Sequence, residues 1–548
     1  MTTILHIDAE TQVRIETPGG PQHPRAAACR SVLALILIFL GCGCQQLFAQ
    51  KAPAAPSRKL PSAEKVVDNY LKAIGGKKNV AAVRSAAYDW ILHAKDQPDG
   101  TAQWQIKAPS SVRTETRIGG NQTIAAANTS SAWIEEAGAA RTLTGAEAAA
   151  AKLRAVLDAS RLVEFKKSNV LARVLSVGDF AGEPSYIVEF SHRSGARLTY
   201  WFSIRTRLLI KIIDDAVRTT TRFDDYRLKG STLEPHKIHI SRGASSEFTL
   251  ELQSVVHNAP LVDTIFDPPR ADTSLDVTTL LRAVGRNQDE VEKRVSEYSF
   301  MQKETEREIN DRGEIKKETV KVFEVFPIAN RDAIMKLISE NGVALSGERA
   351  TKEEKRVTEE FLKAERDRDK DQQKADRRHE ERRKRASKGQ ENEDPGISQF
   401  LIVCEFVSPR RERFRDRDAV VFDFRPRAGY RPENRAESLI SKLVGVVWID
   451  PVDKQVMRLE ARLAEGFKMG GGLLLSVRPG AAVVMEQTRM VEGVWLPSFA
   501  QANVSVKVLL FGGADINHTV EWSNYRHFSG QVRDYKLEPP KSDPDKKP

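Results

Sequence analysis

The sequence predicts a mainly β (α+β) chain made of two tandem antiparallel sheets, and three observations predict it. From Tyr88 to His257 apolar and polar residues alternate with a period of two, the pattern of strands with one buried and one wetted face. Strand signals resume after residue 298 and run to about 522, interrupted by an almost wholly charged stretch. Short motifs of the first half also echo in the second: Trp201-Phe202-Ser203 in Trp448-Ile449-Asp450, and Asp225-Tyr226-Arg227 in Asn524-Tyr525-Arg526. An all-parallel α/β core would show continuous apolar runs instead.

At 548 residues the chain exceeds one domain. A 40% hydrophobic content excludes wholesale disorder. The net charge of +10 is a small excess of 85 basic over 75 acidic residues, which suits anionic surfaces without singling out nucleic acid. Of the four cysteines, Cys29, Cys42 and Cys44 fall in the first fifty residues, so no disulfide framework is expected. Cys404 lies in the apolar run Phe400–Cys404 and reads as a small buried hydrophobe.

Residues 1–49 read as a signal peptide. Arg30 precedes an apolar run, Val32–Leu40, that is too short to span a bilayer. Two processing sites compete: cleavage after Ala49, or lipidation of Cys42 in a lipobox-like Phe39-Leu40-Gly41-Cys42. Either marks export, free in the periplasm in one case and lipid-anchored in the other. A Pro/Ala linker over 50–61 follows. Ser62 then caps a helix carrying Val66, Val67, Tyr70, Leu71 and Ile74, stopped by Gly75-Gly76. Strands are expected through Tyr88–Leu92, Trp104–Ile106, Val112–Ile118, Tyr186–Phe190, Leu198–Phe202 and Phe248–Leu252. An alanine-rich helix over 145–162 interrupts them, with Leu153, Val156 and Leu157 on one stripe.

The second half opens with a helix over 275–295 and two strands about the turn Asn310–Gly313. The insertion, 347–394, holds fifteen Lys and Arg against eleven Asp and Glu between Ala350 and Gly389, with almost no apolar stripe. It reads as a solvated helix or excursion. Strands follow through Val420–Phe424, Val446–Ile449, Met457–Leu463, Leu473–Val477, Val504–Leu510 and Ile516–Trp522, and the tail 536–548 reads as disordered. The domains are thus expected at 62–272 and 273–535.

The first half resembles the LolA/LolB-like periplasmic lipoprotein-carrier superfamily, as in outer membrane lipoprotein-sorting protein homologues. The resemblance rests on a succession of short motifs over about 210 residues: Ala73-Ile74-Gly75-Gly76, Gly182–Tyr186, Tyr200-Trp201-Phe202 with Leu208-Leu209, Asp224-Asp225-Tyr226, Pro235, Asn258 and Phe266–Pro269. The second half resembles it more distantly, through Trp448–Pro451 and Gly493–Pro497, and the charged insertion has no place in the family's minimal form. The resemblance implies two unclosed β-barrels with lid helices, the concave side holding acyl chains. Trp90, Leu92, Trp104, Ile106, Tyr186, Val188, Tyr200, Phe202, Phe248 and Leu250 are then the expected cavity wall, and Leu153, Val156 and Leu157 the lid face.

Constellations for chemistry are missing from the sequence. His236 and His239 point to opposite faces of a strand. Asp214-Asp215 and Asp224-Asp225 diverge where general acid/base work needs convergence. Gly470-Gly471-Gly472 lacks the ending of a phosphate loop. The expectation is a non-enzymatic carrier without cofactor or metal. Its partners would be an acyl chain or lipoprotein cargo, an anionic membrane surface and an envelope protein met through 347–394, with no nucleic acid. The alternative is a periplasmic envelope interaction or sensor protein with filled barrels and no lipid ligand.

Overall fold

The computed structural model describes residues 60–527 except 95–96, 193–194, 244–245, 270–271, 273, 296, 311–314, 329–332, 387–396, 470–474, 491–492 and 509–511. The signal peptide with Cys42, almost all of the linker, the end of the charged insertion, the glycine triplet and the C-terminal tail lie outside the described residues.

Ser62 accepts from Lys65 N at 3.2 Å and starts α1 (Ala63–Ala73), whose Val66, Val67 and Leu71 are buried. Gly75 ends that turn at φ +127°, and a Cβ there would lie 2.3 Å from Ser231 O, so only glycine fits. After α2 (Lys77–Ala82) comes a meander: β1 (Ser85–Ala94), β2 (Gly100–Lys107), β3 (Ser111–Ile118), β4 (Asn121–Ala127), β5 (Ala132–Glu136) and β6 (Ala139–Thr142). Helix α3 (Gly145–Ala159) then leads to a second meander. This comprises β7 (Val170–Phe180), β8 (Glu183–His192), β9 (Arg197–Ser203), β10 (Leu209–Asp214), β11 (Thr219–Lys229), β12 (Thr232–Arg242) and β13 (Ser246–His257). The first and last strands zip together, Tyr88 facing Val255 and Leu92 facing Leu250. The result is one antiparallel sheet of thirteen strands whose open edges are β6 and β7.

The second half repeats that plan. Helix α4 (Val277–Val295) precedes β14 (Tyr298–Ile309), β15 (Ile315–Phe326), β16 (Ile334–Glu340) and β17 (Val343–Ala344). Then come α5 (Gly347–Ala386) and α6 (Ile397–Val403). The returning meander is β18 (Cys404–Phe414), β19 (Arg417–Pro426), α7 (Arg435–Ile440), β20 (Leu443–Asp450), β21 (Gln455–Leu463), β22 (Phe467–Met469), β23 (Leu475–Val477), β24 (Ala482–Arg489), β25 (Trp495–Val508) and β26 (Gly512–His527). Here β14 pairs with β26, and the open edges are β17 and β18. Neither sheet closes. The motif echo has a structural counterpart: Asp225 and Asn524 both sit at positive φ, which Asp and Asn tolerate best among non-glycine residues. The tyrosine after each donates to a carbonyl of the neighbouring strand, Tyr226 to Leu209 O at 2.7 Å and Tyr525 to Pro497 O at 2.6 Å.

Two expectations about the charged stretch are corrected. It occupies the same place between meanders as α3 does in the first half, so it stands where a lid helix stands. It also has an apolar stripe: Val357, Phe361 and Ala364, spaced by four and three, are buried, and Phe361 packs at 5.6 Å on Phe326 of β15. The stripe is short, which is why the surrounding charges hide it. Phe400–Val403, part of the apolar run ending at Cys404, is helical, and Cys404 itself is buried.

The cores of the two halves differ. The first sheet buries one continuous cluster on its concave side, covered by α1 and α3. The second is covered on both faces over β19–β21: Phe422, Phe424, Val447 and Ile449 pack with α4, α6 and α7, while Val421, Val446 and Trp448 pack with Trp495 and Leu496. A polar seam joins the halves. Arg410 on β18 contacts Glu412 at 2.6 Å and Asp423 at 3.1 Å, and Glu412 accepts from Thr142 N and Oγ1.

Candidate binding cavity

The site grows from the alternation of the first sheet. Tyr88, Trp90 and Leu92 of β1 turn inward while Asp89 faces solvent, and Leu198, Tyr200 and Phe202 of β9 do the same across the concave face. The rings interlock: Trp90 on Trp104 at 5.2 Å, Phe190 on Tyr200 at 4.9 Å, Tyr70 of α1 on Phe202 at 5.3 Å. Helix α3 lies over them with Leu153 and Leu157 inward. Its other side, Ala148 and Ala155, sits on Ala127, Ala132 and Leu143, and small side chains let the helix approach that closely.

Between β1, β9–β12 and the end of α3 a cavity of about 130 Å³ remains. Trp90, Trp104, Ile106, Tyr200 and Leu157, all expected from the sequence, line it. Leu92, Val188, Phe202, Leu250 and Leu153 belong to the same buried cluster but do not reach the cavity. Tyr186, Phe248 and Val156 pack half-buried against that cluster. Trp201 takes the opposite face, with the Lys211 ammonium 3.7 Å from its ring.

One part of the site was not legible in the sequence: a polar floor. The helix ends in two residues at positive φ, Arg161 and Leu162. Arg161 donates to Glu234 Oε1 at 2.5 Å and to Tyr88 Oη at 3.1 Å, while Thr232 and His257 also contact the Glu234 carboxylate. Burial alone would raise the Glu234 carboxyl, but the His257 ring and the Arg161 guanidinium outweigh it and bring it to about 2. Arg154 donates to Asp158 at 2.7 Å on the same wall. Burial pushes the Tyr200 hydroxyl well above its ordinary range. The signal that could have found the floor is Glu234 itself, a carboxylate in phase with the inward Thr232 and Ile238.

The residues considered for chemistry are otherwise engaged. His236 Nδ1 lies 3.1 Å from Glu234 O, and His239 lies 3.0 Å from Thr249 Oγ1. Among the described residues no group of three or more His, Cys, Asp or Glu is placed to hold a metal ion. No helix among them is long and apolar enough to cross a membrane.

The chain folds mainly as β structure, in two tandem antiparallel sheets, neither of them closed. No protein-family model matches the chain, and no curated protein does. Solved structures do match in part. A LolA superfamily protein from Nitrosomonas europaea is 13% identical, covering 38% of this chain and 98% of its own, with a TM-score of 0.27. The lipoprotein LppX from Mycobacterium tuberculosis is 12% identical over 37% and 99%, with a TM-score of 0.15. The Pseudomonas aeruginosa MucA/MucB complex is 8% identical over 83% and 94%, with a TM-score of 0.17.

Proposed function

We propose that this is an exported, periplasmic, non-enzymatic binding protein whose first sheet shelters an acyl chain or a lipid-modified protein, in lipoprotein sorting or outer-membrane maintenance. The observation that carries the reading is the cavity at the seam between an aromatic concave wall and the end of α3. Ligand sites usually measure about 300–1,000 Å³, so ligand uptake into this cavity of about 130 Å³ requires α3 to lift. Lifting α3 would extend it along Trp90, Tyr200 and Phe202, and each buried methylene would then contribute about 0.8 kcal/mol. Affinity comes from that burial, and handover follows when the helix lifts again. Residues 51–275 carry a net charge of about +7, which would draw this half to anionic head groups at low salt.

A second role suits the second half. Its sheet is filled on both faces, and α5 stands where the lid would be, which favours contact with an envelope protein over ligand uptake.

The test is recovery of the mature protein from the periplasm, followed by native mass spectrometry, lipid extraction and titration with a fluorescent fatty acid. Co-purified lipid and saturable binding are expected. Lipid-free protein that ignores the probe would overturn the carrier role and leave the interaction role.

A further inference from the structure

The charged residues that line the cavity do not balance. Arg154 is paired with Asp158 at 2.7 Å and Arg161 with Glu234 at 2.5 Å, and Arg84 is a third guanidinium with no carboxylate of its own. Asp214, buried on β10, does not line the cavity and bears on Arg154. Among the described residues the Arg84 side chain has no hydrogen-bond or ion-pair partner. Its backbone, by contrast, is fixed: Arg84 N donates to Asn258 Oδ1 at 2.8 Å, and Arg84 O accepts from Ala108 N at 2.8 Å. The residue is held in one place at the head of β1 while its charge stays uncompensated.

Position along β1 gives the site a direction. Arg84, just before the strand, is exposed and marks the rim, whereas Val83 and Ala86 beside it are buried and Trp90 is 2% exposed. The guanidinium's field reaches the chain just past α3. There the Lys167 hydrogen bond holds the Glu164 carboxyl below its ordinary range, and Arg84 and Lys77 add to that effect. Glu164 is itself engaged by Lys167 at 2.6 Å. An amphiphile with its tail toward Trp90 and Trp104 and its head at this rim buries only hydrocarbon. Its anionic group stays in water and so escapes the cost of burying an ion. Arginine offers that group a planar fork of donors matched to a carboxylate or a phosphate.

We propose that Arg84 is the head-group site of the cavity: an acyl chain ending in one anionic group, a carboxylate or a phosphate, binds tail inward with that group on the Arg84 guanidinium. This rests on the acyl-binding reading above and adds head-group charge and orientation to it.

The experiment titrates the full-length mature protein at low salt with palmitate, hexadecyl phosphate and the neutral methyl palmitate, each by displacement of the neutral fluorophore N-phenyl-1-naphthylamine. It is repeated for Arg84→Gln, with circular dichroism to check folding. The variant should weaken at least one of the two anions about three- to fivefold and leave methyl palmitate as it was, and the anion more affected names the head group. At about 1 M salt, where charges are screened within about 3 Å, the difference between variant and wild type should vanish. If the folded variant holds both anions as tightly as wild type, weakens methyl palmitate equally, or keeps its defect at high salt, the Arg84 head site is wrong while acyl binding stands. If none of the three displaces the fluorophore, acyl binding fails and this inference falls with it.

Discussion

The Ser131 hydroxyl, in the turn between β4 and β5, donates to Asp423 Oδ2 on β19 at 2.5 Å, so a first-sheet side chain satisfies a buried carboxylate of the second. The same carboxylate meets Arg410 through its other oxygen. Nearby, Arg462 donates to Thr129 O at 2.6 Å, and Lys152 of α3 reaches Ser130 O at 3.0 Å. The two halves therefore share buried charge, and the helix covering the cavity is held at the same seam.

Arg410 is 1% exposed and serves both Asp423 and Glu412. Arg410→Ala would leave two buried carboxylates without their cation, a loss of about 3–5 kcal/mol. Urea denaturation followed by tryptophan fluorescence should show the midpoint fall. An unchanged midpoint would mean that the seam contributes nothing to stability.

Glu234 gives stability a pH dependence. Its carboxyl sits at about 2 in the fold against an ordinary 4.5, so the unfolded chain takes up this proton first as pH falls. Its stabilisation is fully present above about 4.5 and is lost as pH drops toward 2, on the order of 3 kcal/mol in all. Urea midpoints measured from pH 6 to pH 2.5 should fall steeply for the wild type. For Glu234→Gln they should start lower and fall less, and parallel slopes would refute the assignment.

Phe361 is the anchor of the charged helix. Phe361→Ala should free α5 from β15 and β16, because the buried stripe beneath it consists of three residues. Hydrogen exchange across 347–364 should accelerate, while exchange in β19–β21 should stay as it was. Equal acceleration in both would show that α5 is integral to the second core.

Burial pushes the Cys404 thiol up to about 12, with Arg427 opposing only in part. Cys404 should therefore resist iodoacetamide in the native protein at pH 8 and react once urea unfolds the chain. Rapid native labelling, read by peptide mass, would contradict its burial.

The strands of the first sheet were legible because one face is wet, so alternation at Tyr88–Leu92 or Leu198–Phe202 reports burial directly. Strand β18 was not. Its Arg410 and Glu412 look like surface charges, yet they are buried because the first half supplies Thr142 as a partner, and no local pattern encodes that. Trp90, Trp104 and Tyr200 at the candidate cavity could be read for the same reason as their strands, whereas Phe202 and Leu250, expected beside them, pack away from it. The floor of that cavity could not be read, because Arg161 and Glu234 meet only after the sheet has curved and the helix has ended.

Each sheet is zipped where its first strand meets its last: Arg84 N donates to Asn258 Oδ1 across 174 residues, and Ser299 Oγ reaches Arg526 O across 227. Such distant closure is slow, since a long loop must be ordered before any contact rewards it. A nascent chain thus holds an unfinished, greasy ribbon until the last strand of each sheet arrives. Losing the last dozen described residues would remove most of β26 and leave the second sheet open along β14, so even a stop this late would undo its closure.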